Sequence, residues 1–270
     1  MDLPPLVDTH CHLGWDSLEG ELDDVLARAR EAGLVALVDV GIDLASSRRA
    51  VERARGRAAL RPTAGLHPND CADHARDMGA IAELCRAPEV VAVGETGLDL
   101  YRDRVPLEVQ LASLGAHLAL AEDCGKPIIL HCRDAFAELV DFLRPRAPVR
   151  GILHCFTGGV ADAEACLDLG LHLSFAGPLT YPRNDELREA ARRAPAERLL
   201  VETDAPFLAP QQRRGKRNEP AFVRWTFERL CEVRGVEPAA LGPTLLANTR
   251  YLFGELDAAG GPGIASSPSP

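Results

Sequence analysis

"LVDTHCHL", residues 6–13, starts as an apolar run and ends in a His-x-His pair. Read as a strand, it alternates its side chains, so His10 and His12 share one face and Cys11 takes the other. Asp8 falls on the histidine face, one step deeper. Where that face points depends on the fold, and seven further segments of the same kind decide it. They are "VALVDVG" (35–41), "RPTAGLH" (61–67), "VVAVGE" (90–95), "PIILH" (127–131), "GILHC" (151–155), "LHLSFAG" (171–177) and "LLVETD" (199–204). Between them lie segments such as "ELDDVLARAREAG", "LEVQLASLGAHLALAEDCG" and "DELREAARRAPAER", with apolar residues at helical spacing. "NEPAFVRWTFERLCEVRG" follows the eighth. Eight strands, each followed by a helix, over about 250 residues match a single-domain TIM (β/α)8 barrel. A doubly wound open sheet is the rival, but no glycine-rich phosphate-binding motif supports a nucleotide fold.

The barrel is expected to occupy residues 1–256. The Gly/Pro/Ser-rich end, "DAAGGPGIASSPSP" (257–270), reads as a disordered tail. Hydrophobic residues make up 46% of the 270 and charged residues 26%, a composition suited to a large globular core. No run of 18 uncharged apolar residues is present, and the N-terminus has no basic-then-apolar leader pattern, so a cytoplasmic location is expected. Eight cysteines are scattered through apolar segments without a C-x-x-C pair, and read as buried reduced thiols. The formal net charge of −10 argues against a stoichiometric DNA-binding protein. It leaves room for an enzyme that touches a few phosphates through local cations.

A lone His-x-His says little, but a barrel gathers the C-terminal ends of its strands around one mouth. Glu95 ends the fourth segment, His131 the fifth, His154 the sixth and Asp204 the eighth. With His10 and His12, four histidines and two carboxylates converge from five strands. So many polar groups in a barrel core are costly unless something compensates them. Six ligands exceed what one tetrahedral ion with an open position needs, and suit a pair of cations that generate hydroxide near neutral pH. Imidazole-rich donors favour zinc slightly, with manganese, nickel, iron or magnesium as alternatives. Cys132 and Cys155 directly follow ligand candidates and are expected to face away from them.

These blocks carry a resemblance. "DTHCHL", "GLHPND", "GETGLDLYRD", "LHCRDA", "LHCFTGG", "ETDAPFLAP" and "RGKRNEP" are similar, in order, to those of the TatD family of metal-dependent deoxyribonucleases, over about residues 6–253. That family belongs to the amidohydrolase-like barrels. The resemblance implies that His10, His12, Glu95, His131, His154 and Asp204 hold two divalent metal ions, with Glu95 bridging. It also implies a 3′-to-5′ exonuclease. Leu100 stands where an aromatic is common, and Asn69-Asp70 where another histidine often appears.

His67 ends the third segment and is expected to touch substrate phosphate or a metal-bound water. Glu202, two residues before Asp204, reads as a hydrogen-bond partner of the site. His74, His117 and His172 lack this convergence and read as structural or solvent-facing. Arg102, Arg133, Arg213, Arg214, Lys216 and Arg217 follow strands four, five and eight, and are the candidate phosphate contacts. Asn218 and Glu219 are placed to hold the "RRGKR" loop against the barrel. The leading function is phosphoester hydrolysis in DNA, single-stranded or at 3′ ends, with Asp204 receiving the water proton and Glu95 holding the metals. Hydrolysis of a small amide, lactone or phosphoester is the alternative, since loops vary the chemistry of a barrel. A non-catalytic metal module is disfavoured, and no obligate protein partner is evident.

Overall fold

The computed structural model describes residues 4–102 and 104–255; the tail at 257–270 lies outside the described residues. All eight strands form: β1 (Leu6–Cys11), β2 (Leu34–Asp39), β3 (Leu60–Ala64), β4 (Ala92–Asp99), β5 (Ile128–Arg133), β6 (Gly151–Leu153), β7 (His172–Phe175) and β8 (Leu199–Val201). Each is parallel to the next, in sequence order. Between them run α1 (Asp16–Glu19), α2 (Leu22–Glu31), α3 (Leu44–Ala54), α4 (His74–Arg86), α5 (Leu107–Cys124), α6 (Phe136–Leu143), α7 (Val160–Asp168) and α8 (Asp185–Arg193). After β8 come α9 (Val223–Arg234) and α10 (Pro238–Phe253). The architecture is the (β/α)8 barrel.

The barrel closes between β8 and β1, just where ligand candidates sit. Asp204 N–H donates to His10 C=O at 2.9 Å, and His12 N–H donates to Ala205 C=O at 2.7 Å. Below them, the Asp8 carboxylate accepts from the Thr203 amide at 2.9 Å and the Thr203 hydroxyl at 2.5 Å. Burial pushes the Asp8 carboxyl up to about 8 despite those bonds. Asp8 therefore serves the seam.

Two apolar clusters divide the core. Val7, Ala36, Val38, Ala92, Ile129, Ile152 and Leu200 form an inner set, closed off by Leu252 and Phe253 from the end of α10. The residues between them, including Leu37, Val93, Ile128, Leu130, Leu153 and Leu199, pack outward with the helices. This alternation carries Ile129 to His131, Ile152 to His154 and Leu200 to Glu202 on the inner side, while Asp204 lies past the end of β8 with φ 56°.

In two strands simple alternation fails. Val7 belongs to the inner set and Thr9 bonds Ser174 Oγ at 3.1 Å, so continued alternation would turn His10 away from the interior. The register slips between Asp8 and Cys11, as at a bulge, and both histidines come inward. The expected placing of Asp8 on the histidine face is corrected accordingly. Ala92 likewise faces in, and alternation would turn Glu95 out; a register slip between Val93 and Thr96 reverses it. Glu95 does not end β4, which continues to Asp99.

Gly94 (φ 129°) and Gly97 (φ 140°) take up a backbone that side chains rarely adopt. A Cβ on Gly97 would lie 2.0 Å from the His131 carbonyl oxygen. Gly97→Ala is therefore expected to cost about 3 kcal/mol or more. That corresponds to a fall in Tm on the order of 6 °C or more by calorimetry, and a Tm within about 1 °C of the parent would refute the constraint.

Candidate metal centre

Glu95 is 2% exposed and sits among five imidazoles. Its two oxygens face different partners. Oε2 lies 3.3 Å from His10 Nε2 and 3.7 Å from His12 Nε2. Oε1 lies 2.9 Å from His131 Nδ1, 2.9 Å from His154 Nε2 and 3.6 Å from His67 Nε2. Asp204 Oδ1 completes the first group, 3.4 Å from His12 Nε2 and 3.9 Å from His10 Nε2. All six ligand candidates thus meet at the mouth.

Each of three imidazoles is oriented from behind. His12 Nδ1–H donates to the Val40 carbonyl at 3.1 Å, leaving Nε2 to point inward. His154 Nδ1 faces Glu202 Oε1 at 3.2 Å, which likewise frees Nε2. His131 is turned the other way, with Nε2 3.4 Å from Asp99 Oδ2 and Nδ1 directed at Glu95. Such outer partners fix tautomer and ring angle at metal-binding imidazoles. The His10 ring stacks on His154 at 3.8 Å.

This donor set fits divalent cations. His10 Nε2 and His12 Nε2 lie 3.2 Å apart, as do His131 Nδ1 and His154 Nε2. Imidazole lone pairs so close repel unless a proton or a cation lies between them. Glu95 Oε2 is buried without a hydrogen-bond partner, an expensive state for a carboxylate oxygen. Three overlapping groups, His10–His12–Glu95, His10–His154–Asp204 and His67–Glu95–His131, each keep their donor atoms within 4.8 Å of one another.

A family model described as TatD related DNase matches residues 7–254. The chain belongs to this family. An uncharacterised metal-dependent hydrolase, YabD of Bacillus subtilis, is 36% identical over 251 residues, covering 92% of this chain and 98% of the relative. The 3′-5′ ssDNA/RNA exonuclease TatD of Escherichia coli is 39% identical over 241 residues, covering 86% and 92%. Among solved structures, the TatD homologue YJJV of Escherichia coli superposes with a TM-score of 0.86 at 32% identity, covering 92% of this chain and 97% of that one. The chain is accordingly a TatD-family, metal-dependent hydrolase.

Within this TatD barrel the remaining sequence candidates separate. His67 accepts the Asn69 amide at Nδ1 (3.1 Å), so its own proton sits on Nε2, toward Glu95. Burial and the neighbouring His131 push it down to about 3, so it is a neutral donor. Arg102 and Arg133 are exposed, with the Arg133 guanidinium 3.9 Å over the Tyr101 ring. Arg214 lies 4.0 Å over Tyr181, and Arg213 5.2 Å from Trp225. Lys216 is exposed, whereas Arg217 turns aside to Glu21 (3.0 Å) and the Ser17 carbonyl. Asn218 pins the loop through the carbonyls of Thr203 (2.8 Å) and Phe207 (2.6 Å), and Glu219 pairs with Arg28.

Asp99 was not singled out in the sequence, although it follows Glu95 at i+4 on the same strand face, which is the signal that identifies it. Cys11 and Cys132 pack outward. Cys155 lies beyond the end of β6 with φ 42°, so strand alternation does not reach it. Among the other histidines, His117 is buried and accepts the Leu66 amide, a structural role.

The electrostatics set a pH dependence. Burial opposes charge on His154, but the charge of Glu95 and the bond to Glu202 hold the imidazole well above its usual range. His131 and His12 are raised in the same way, against burial, by the carboxylates of Asp99 and Asp204, each 3.4 Å away. Each shift favours the protonated imidazole in the metal-free protein, and a cation has to displace the proton that the shift retains. Affinity should therefore rise with pH through the raised imidazole range and fall as pH drops. Calorimetric titration with zinc near pH 7, in two buffers of different ionisation enthalpy, should show net proton release; identical heats in both would contradict it.

Proposed function

We propose that the chain is a nuclease that hydrolyses phosphodiester bonds in single-stranded DNA or RNA from the 3′ end, using two divalent cations held on either side of Glu95. The observation carrying this reading is the split of the Glu95 carboxylate, one oxygen toward His10 and His12 and the other toward His131 and His154. On this reading His10, His12 and Asp204 would hold one ion and His131 and His154 the other, with Glu95 shared between them. Bound cations supply positive charge that polarises a phosphoryl oxygen and acidifies an attacking water. Zinc suits the nitrogen-rich donors best, with manganese, iron or nickel next.

The chain's own groups provide the rest. Despite burial, the interaction with His12 keeps the Asp204 carboxyl below its usual range, which favours the ionised carboxylate that a metal ligand requires. Asp204 reaches the mouth, with 12% of its side chain exposed. It takes the proton of the attacking water and returns it to the leaving oxygen. His67 Nε2–H donates to the substrate phosphate, a neutral donor where a second carboxylate would repel. Arg102, Arg133, Arg213, Arg214 and Lys216 are left to contact phosphates further along the strand. Kinship with an enzyme whose name specifies ssDNA and RNA supports nucleic acid over a lactone or amide as substrate.

An end-labelled single-stranded oligonucleotide, incubated with metal-loaded protein, should shorten stepwise from its 3′ end. An intact oligonucleotide alongside turnover of a lactone or a small phosphoester would overturn the reading. Glu95→Ala should lower bound metal from two ions to fewer than one, because both sites lose a ligand together. The activity loss should exceed the about 10- to 100-fold that removal of an outer hydrogen-bond partner costs. Loss of a single ion in elemental analysis would refute the bridge.

A further inference from the structure

Two exposed aromatic rings flank the centre, each placed by the same local device. Trp15 lies three residues after His12, and Phe207 three residues after Asp204. In both, the backbone N–H of the aromatic donates to the carbonyl of the ligand candidate, Trp15 to His12 at 3.5 Å and Phe207 to Asp204 at 2.8 Å. Trp15 is anchored on its other side as the first residue of the turn into α1, accepting from Leu18 and Glu19. The Phe207 carbonyl is held by Asn218. The backbones are fixed while the rings stand in solvent, 45% exposed for Trp15 and 41% for Phe207. They meet edge to face at 5.1 Å, and Phe207 lies 6.1 Å from the His12 ring. Leu208 extends this apolar surface, at 40% exposure.

We propose that Trp15 and Phe207 form a stacking wedge for the nucleobase next to the scissile phosphate. The proposal rests on the nuclease reading and adds to it the part of the substrate that is not phosphate. Three observations select a base as the occupant. The wedge adjoins the candidate ligands, so a group seated on it lies one nucleotide from the reacting bond. Its rings have no guanidinium over them among the described residues, whereas Tyr101 and Tyr181 are covered on one side by Arg133 and Arg214. The protein carries a net charge of −10, and Arg217 is spent on Glu21, so general attraction for a polyanion is weak. Base–aromatic stacking supplies affinity that does not depend on charge, and it is open only to unpaired bases. The wedge thereby selects single strands and frayed ends.

The test compares an intact single-stranded oligonucleotide with one carrying a tetrahydrofuran abasic residue beside the terminal linkage. Metal-loaded parent protein should show a kcat/KM ratio, intact over abasic, of about 10- to 100-fold, the size of one base–aromatic stack. Trp15→Ala and Phe207→Ala should each bring that ratio toward one, while Trp15→Phe keeps most of it. A second readout does not need turnover: in a Trp225→Phe background, which leaves Trp15 as the sole tryptophan, emission should be quenched by a nuclease-resistant phosphorothioate hexathymidylate. If the parent cleaves both strands at equal rates, or if the ratio survives both alanine variants, the wedge is refuted while the nuclease reading stands. If the parent cleaves neither, the nuclease reading itself fails. A change in sedimentation of Trp15→Ala with no change in the ratio would assign the surface to contact between copies and overturn the proposal.

Discussion

A carboxylate buried at the mouth of the barrel imposes the main constraint on this structure. Taking Glu95 out of water is costly, and His10, His12 and His154 beside it are buried too. Burial alone would push its carboxyl up, yet the surrounding imidazoles, His154 first among them, hold it well below the usual carboxylate range. Charge must therefore be supplied from the opposite sign, by protons on imidazole when metal is absent and by cations when it is present. The surrounding architecture serves this balance. Glu202, Asp99 and the Val40 carbonyl each take the far nitrogen of an imidazole. The β8–β1 seam joins the backbones of His10, His12 and Asp204 directly, which fixes three ligand candidates with the hydrogen bonds that close the barrel.

The substrate side follows from the same geometry. An acidic protein gains little from long-range attraction to a polyanion, so binding has to be local. The loops that leave the strands after His12, Asp204 and His131 carry aromatic and basic side chains, with Phe207 6.1 Å from the His12 ring. Rigid anchoring of Trp15 and Phe207 to ligand backbones means that any base they hold stays in register with the reacting phosphate. Positioning of this kind lowers a barrier without adding a catalytic group.

Much of the barrel was legible because eight apolar segments alternate with helical ones, and a parallel pairing in sequence order is the economical way to bury them. The ligand candidates were legible because His131, His154 and Asp204 lie near the C-terminal ends of apolar segments, although β5 runs on to Arg133 and β8 stops at Val201. The alternation argument brought His10 and His12 to one face correctly, but it missed why that face points inward. The register slips in β1 and β4 do that, and only β4 announces its slip, through Gly94 and Gly97. Without the slip Glu95 would face the helices. Arg217 was legible as a cation near the mouth but not as a partner of Glu21, which lies 196 positions away in the chain. Side-chain pairing at that range leaves no trace in local pattern.

The central claim is that one carboxylate joins two cations, and electron paramagnetic resonance of the manganese-loaded protein tests it most directly. Two ions about 3.5–4 Å apart are magnetically coupled. The account predicts that, at saturating manganese, the isolated-ion six-line signal gives way to a multiline spectrum from an exchange-coupled pair. A six-line spectrum that only grows in intensity up to saturation would show independent ions, and would contradict a shared Glu95.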